Sequence, residues 1–344
     1  MNVQKGRKRK LTLYSLTMCC LLLMLHKSDA QRQSQTSVVV SQSSQQPVLS
    51  PYDIKRLVDE DDESSLQPYW QQLKIKPGAF VKPGEIDSAD LFAEHFDNEL
   101  GKELLLRLHN DWITRYVLYK QHRIKEGRVE WRYVNYLDLE YQKYGPPEHR
   151  IEYERNKGQE RWLVISSQTA SGTGVSANSD EWYKVSDKGF EQVLSYPAKG
   201  YESQYWSGVC GRNLSSKVDR VEKTDGDTTV RVELSIKFDC DNGEDGDAEF
   251  SKQQKLLFVK PDKATEFALD TEASKITESD LNAVFDTGVE SLTPEIFLKY
   301  NAPELTKIAA NGSKENKQWL RTFLDKCSDI VEKQQLQQLL KNHN

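Results

Sequence analysis

Between Trp131 and Ile165 apolar and polar positions alternate. Trp131, Tyr133, Leu137, Leu139 and Tyr141 fall at even spacing, with Arg132, Asp138, Glu140 and Gln142 on the opposite parity. A period of two marks a strand buried on one face only. Gly145-Pro146-Pro147 interrupts the run, since proline has no N–H to give a sheet ladder. Ile151 and Tyr153 resume the alternation, Asn156-Lys157-Gly158 supplies a turn, and Trp162–Ile165 is a short apolar strand. The pattern predicts an antiparallel, aromatic-rich pair joined at Gly145-Pro146-Pro147, with Trp131, Tyr133, Leu137 and Leu139 facing a helix.

That helix is expected upstream. Leu91, Phe92, Phe96, Leu100, Leu104, Leu105, Leu108 and Trp112 recur at steps of three and four, behind a possible Ser88 N-cap, and so read as one apolar helical face. From Thr114 to about Leu269 the grain is β. Hairpins are predicted around Asp187-Lys188-Gly189 and around Asp225-Gly226, a common tight-turn pair. Ser166–Asp180, rich in small residues, reads as a loop. After Thr271 the period returns to that of helices. Thr277-Glu278-Ser279-Asp280 opens one, Thr293-Pro294-Glu295 another, and Pro303 a third. In the last, Lys314–Leu340, Trp319, Leu320, Phe323, Leu324, Cys327, Ile330 and Val331 form the buried stripe. The fold class is α+β: an amphipathic helix packed on a large antiparallel sheet or half-open barrel, followed by a C-terminal group of helices.

The N-terminus changes this picture. A basic leader (Lys5, Arg7, Lys8, Arg9, Lys10) precedes an apolar run, Leu11–Leu25, and Ser28-Asp29-Ala30 places small residues before a cut after Ala30. This is the layout of a cleaved secretory signal peptide, short for a spanning helix, which needs about 20 residues. An uncleaved anchor is the alternative. The expected organisation is a signal peptide over 1–30, a disordered Gln/Ser-rich and acidic linker over 31–66, a helix plus antiparallel β domain over 67–270 and a helical region over 271–344. Export implies a secreted, periplasmic or cell-envelope location.

The chain has 344 residues, 29% of them charged and 10% aromatic. Removing residues 1–30 takes away six Lys/Arg and one Asp and leaves 41 basic and 52 acidic residues, a net charge of −11. No nucleic-acid partner is expected from such a bulk charge. Beyond the signal segment only Cys210, Cys240 and Cys327 remain. In an oxidising compartment Cys210 and Cys240 are expected to pair, whereas Cys327 lies on an apolar helix face as a small hydrophobe. The sharper alternative makes Cys210, flanked by Gly208 and Gly211, a nucleophile with a histidine base.

No catalytic residue, metal ligand set or cofactor motif emerges. His95, His109, His122, His149 and His343 show no metal-ligand spacing. The acidic turn Asp239–Asp247 offers calcium-type ligands, but with Asp241 as position 1 the twelfth position is Lys252, where a bidentate Glu is needed. No G-x-S-x-G elbow is present, and Gly172-Thr173-Gly174 is too short for a phosphate loop. Asn213-Leu214-Ser215 and Asn311-Gly312-Ser313 match the N-glycosylation pattern.

Across about residues 88–270, the predicted order of an early amphipathic helix and then aromatic strands, behind a signal peptide, resembles LolA-like and LolB-like lipoprotein carriers. The resemblance rests on element order and implies a half-barrel wrapped around helices with acyl chains in its hollow; it assigns no functional residue. Three readings follow. The first is a non-enzymatic exported binding protein holding an apolar small molecule or a partner, such as another envelope protein, on a curved sheet, with Trp131, Tyr133, Tyr141, Tyr153 and Trp162 as ligand-binding candidates. The second is an exported hydrolase whose site assembles only in the fold. The third is a structural envelope or extracellular protein.

Overall fold

The computed structural model describes residues 50–60, 86–96, 103–110, 113–123, 129–140, 145–153, 160–172, 174–205, 210–224, 226–241, 246–277 and 293–343. All fall in one unit, Val48–Asn344. The signal segment, most of the linker, Tyr141 and the helix expected from Thr277 lie outside the described residues.

Two antiparallel sheets form the body. β1 (Ser88–Glu94), β2 (Glu103–His109), β3 (Ile113–Arg123) and β4 (Val129–Glu140) build a four-stranded sheet in that order. β5 (Glu148–Tyr153), β6 (Arg161–Gly172), β7 (Val175–Ser186), β8 (Gly189–Tyr205), β9 (Cys210–Thr224), β10 (Asp227–Asp241), β11 (Asp247–Pro261) and β12 (Ala268–Leu269) build an eight-stranded sheet, also in chain order. A helix α1 (Pro51–Asp59) precedes them. α2 (Thr271–Ser274), α3 (Pro294–Tyr300), α4 (Ala302–Asn311), α5 (Lys314–Asp325) and α6 (Val331–Asn342) follow.

Three apolar cores separate four layers. Ile54 and Leu57 of α1 pack on Leu104, Leu106, Leu108, Val117 and Tyr119 of the small sheet. The other face of that sheet, with Leu105, Tyr116, Leu118 and Leu139, packs on Leu163, Ile165, Tyr183 and Val185 of the large sheet. The large sheet's far face, including Trp162, Trp182, Val230, Leu234 and Phe258, packs on Phe297, Trp319 and Phe323 of the C-terminal helices.

The expected helix over Ser88–Trp112 is corrected to the hairpin β1–β2, with Ser88 opposite His109 and Glu94 opposite Glu103. Leu104, Leu105 and Leu108 fit a helical stripe, but Leu104–Leu106 is a continuous apolar run because β2 is buried on both faces. The helix that covers this sheet is α1, which lies inside the stretch read as a disordered linker. Ser50 caps it, accepting from the Asp53 N–H at 3.2 Å, and Pro51 occupies the first turn.

β4 differs from its predicted pattern in one position. Leu118 pairs with Asn135 and Tyr119 with Tyr133, leaving Val134 as a bulge. An extra residue reverses the parity beyond it. Trp131, Tyr133 and Tyr136 therefore pack toward α1, while Val134, Leu137 and Leu139 pack toward the large sheet. Nor are β4 and β5 paired. Gly145-Pro146-Pro147 carries the chain from one sheet to the other, with Gly145 at φ +111°. The Pro147 carbonyl accepts from Arg107 Nη1 at 2.9 Å and Tyr116 Oη at 3.2 Å, which anchors the crossover to the small sheet. The single sheet or half-barrel becomes two stacked sheets, and the helix over 88–112 on which the carrier resemblance rested is replaced by β1 and β2.

Both predicted hairpins are present, with Ser186 opposite Gly189 and Thr224 opposite Asp227. The small-residue stretch Ser166–Asp180 is strand rather than loop, pairing as β6 and β7 through Gly172 and Val175. The small sheet holds the β7–β8 turn: Lys120 Nζ meets Asp187 Oδ1 at 2.5 Å and Asn135 Nδ2 donates to the Lys188 carbonyl at 3.1 Å.

Trp162 is 1% exposed and Tyr153 50%. Trp162→Ala is expected to cost about 3–5 kcal/mol of stability, and Tyr153→Ala no more than about 0.5 kcal/mol. Urea unfolding of the two variants checks the contrast.

Candidate functional site

Among the described residues, the predicted aromatic candidates Trp131, Tyr133, Tyr153 and Trp162 do not come together. Trp131 and Tyr133 are spent between α1 and the small sheet, Trp131 meeting Tyr52 edge-on at 6.3 Å. Trp162 lies in a different core, beside Trp182 and Phe267. Tyr153 stands half-exposed with the Arg161 guanidinium 5.6 Å over its ring. Trp131 and Tyr133 share one core, Trp162 belongs to another and Tyr153 is at the surface, so these described residues line no common hollow.

Cys210 and Cys240 are cross-strand neighbours in β9 and β10, buried and at disulfide distance. A bonded, buried sulfur has no thiolate to offer, so the nucleophile reading of Cys210 is set aside. Cys327 is buried, and desolvation pushes its thiol up to about 12.

The histidines are dispersed. His109 Nδ1 lies 2.8 Å from Thr114 Oγ1, and His95, His122 and His343 are exposed. His149 sits where the sheets meet, edge-on to Phe92 at 4.2 Å and Tyr116 at 5.7 Å. Burial, then the neighbouring Arg107 charge, pushes its imidazole from 6.5 down to about 4, with Asp90 opposing. Among the described residues no group of three His, Cys, Asp or Glu could hold a metal ion. Residues 242–245 of the acidic turn lie outside them.

A polar network on the large sheet reaches from half-exposed Arg150 to buried groups. Arg150 Nη2 donates to Asp180 Oδ2 at 2.6 Å, Tyr196 Oη donates to the same oxygen at 3.2 Å, and Trp182 Nε1 donates to Tyr196 Oη at 3.3 Å. It ties β5, β7 and β8 together. Burial raises the Tyr196 phenol, with Asp180 adding to the effect, so Tyr196 stays protonated as a donor. The network is a brace, with every named group engaged.

The remaining candidate is a surface. β9, β10 and β11 contribute nothing to the core between the two sheets. Their face opposite the C-terminal helices, continued by Lys199 and Tyr201 of β8, is solvent-facing. Cross-strand pairing sets two rows upon it. Lys199, Ser215, Ser235 and Gln253 form one, and Tyr201, Asn213, Lys237 and Ser251 the next. All eight are exposed, Tyr201 by 48%. A shallow groove of ≈ 220 Å³ lies over the β9–β11 part of the rows, lined by Asn213, Ser215, Ser235, Lys237, Ser251 and Gln253. Ser235 Oγ donates to Gln253 Oε1 at 2.9 Å, and Lys237 pairs with Glu249 at 2.8 Å. A second cleft of ≈ 210 Å³, between β11 and α4, is lined by Phe250, Ser251, Glu304, Lys307, Ile308, Asn311 and Gly312. Asn213 and Asn311, the two sequon asparagines, are both exposed.

Reading the sequence for motifs missed this array because its members come one or two at a time from four strands. The available signal was the alternation of Asn213, Ser215 and Lys217, of Glu233, Ser235 and Lys237, and of Ser251, Gln253 and Lys255 with inward residues. No family model, curated protein or solved structure matches the chain.

Two expectations follow. A folded-state imidazole near 4 against 6.5 unfolded means that the unfolded chain binds the extra proton first. Stability present above pH 6.5 is then lost as pH falls toward 4. His149→Phe keeps a ring between Phe92 and Tyr116, and is expected to flatten the stability-versus-pH curve in that window. Separately, Cys210 and Cys240 are 30 residues apart, so replacing both by serine is expected to cost about 3–4 kcal/mol on the chain-entropy model. Denaturant titrations across pH, and of the double variant under oxidising conditions, measure these effects.

Proposed function

We propose that this chain is an exported, non-enzymatic binding protein that engages its partner on the open face of β8–β11. The observation that carries the reading is the pair of polar rows: eight exposed side chains in register, on a rigid sheet backed by a core of Trp, Phe, Leu and Val. Sites on regular elements hold side chains more precisely than loops do. Tyrosine supplies rigid amphipathic contact area, and serine and asparagine supply adaptable hydrogen bonds. With Trp131 and Tyr133 packed in one core and Trp162 in another, a partner at the surface is favoured over an apolar ligand held inside.

Export rests on the basic leader and apolar run ending before Ala30. The Cys210–Cys240 pair at disulfide distance is compatible with an extracellular location. Among the described residues no helix is long and apolar enough to cross a membrane. The binding partner is then a component of the cell surface or its surroundings.

Retention of the purified chain on cell-surface material from its own host tests this. Ser235→Arg combined with Tyr201→Ala is expected to weaken retention at least tenfold, or about 1.4 kcal/mol. Lys326→Ala, at the exposed cap just past α5, is expected to leave it unchanged. Equal retention of all three proteins would sink the open-face reading.

A further inference from the structure

We infer that the open face of β8–β11 recognises a neutral glycan chain lying across the strands; this rests on the proposed binding role of that face. Three features of the array select the ligand class. The first is its hydrogen-bonding character. Ser215, Ser235 and Ser251 carry hydroxyls, and Asn213 and Gln253 carry amides, so each can both donate and accept. Sugar hydroxyls have the same dual character. A peptide backbone, by contrast, is best met by an unpaired strand edge, and this array lies on a paired face.

The second is charge. Lys237 is matched by Glu249 at 2.8 Å, and Lys255 by Glu233 at 3.2 Å. Arg220 is matched by Glu222. With these opposite charges alternating beside the rows, the face has no single-sign field of the kind that gathers a polyanion.

The third is spacing. Neighbouring strands lie about 4.8 Å apart, close to the advance of one pyranose ring along an extended glycan. Each row crosses four strands, so a chain laid along it meets one polar side chain per sugar. The exposed ring of Tyr201 ends the second row beside Asn213. It offers an apolar face to the C–H side of a sugar, and its hydroxyl remains free to reach outward. The ≈ 220 Å³ groove runs over β9, β10 and β11.

Isothermal titration of the full chain, produced without glycosylation, tests the inference. The probes are β-linked tetrasaccharides of glucose and of N-acetylglucosamine, α-linked mannotetraose and a galacturonic acid tetrasaccharide. At least one neutral probe is expected to bind, with the uronic acid probe at least tenfold weaker. Tyr201→Ala and Gln253→Ala are each expected to weaken the neutral probe three- to tenfold, and Tyr201→Phe less than twofold. Thermal unfolding of each variant confirms that the fold is kept. Failure of all neutral probes, or preference for the acidic one, overturns the glycan assignment. If the Ser235→Arg/Tyr201→Ala chain still loses cell-surface retention, the open-face reading survives that failure. Neutral-probe binding untouched by the Tyr201 and Gln253 changes overturns the assignment to this face.

Discussion

The packing of the four-stranded sheet on one end of the eight-stranded sheet determines which surfaces of this protein are core and which are free. Leu105, Tyr116, Leu118 and Leu139 on one side and Leu163, Ile165, Tyr183 and Val185 on the other are removed from water together. At about 1.5–3 kcal/mol for each large apolar side chain buried, that contact holds the stack. Polar groups orient it. The Pro147 carbonyl, the Lys120–Asp187 pair and Asn135 at Lys188 all sit at the crossover or at the β7–β8 turn. The small sheet is therefore confined to that end, and the long strands β9–β11 run on past it.

Their alternation carries both roles. On the inner parity Val230, Val232, Leu234, Ile236 and Phe238 meet the helical layer, with Phe238 and Phe297 edge-on at 5.2 Å. On the outer parity Glu233, Ser235, Lys237 and Asp239 face water. A strand that is anchored so firmly on one side presents the other at fixed spacing. A recognition surface built this way needs no loop to order before binding, and that lowers the entropy cost of association.

Much of the β architecture was legible, because hairpin chemistry is local. Asp187-Lys188-Gly189 and Asp225-Gly226 mark their turns, and Trp319, Leu320, Phe323 and Leu324 of the last predicted stripe are buried on α5, but the single helix expected over Lys314–Leu340 breaks into α5 and α6 and Val331 is 64% exposed. Long-range packing was not legible. Leu104–Leu108 satisfies helix and doubly buried strand alike, and only the layers above and below decide. The bulge at Val134 leaves no sequence mark, yet it sends Trp131 and Leu137 to opposite cores. Gly145-Pro146-Pro147 announces a break without saying that the chain changes sheets there. The aromatic candidates were chosen for their density along the chain, but large apolar side chains are first of all core material. The open face is written in serine, asparagine, glutamine and lysine, residues too common on surfaces to stand out until strand register aligns them.

Hydroxyl-radical footprinting of the full chain, alone and bound to host cell-surface material, addresses the central claim most directly. An open face on β8–β11 predicts strong labelling of Tyr201 in the free protein and its protection on binding, with Trp162 and Trp182 silent throughout. Weak labelling of Tyr201 in the free chain, or protection confined to Trp131 and Tyr133, would contradict it.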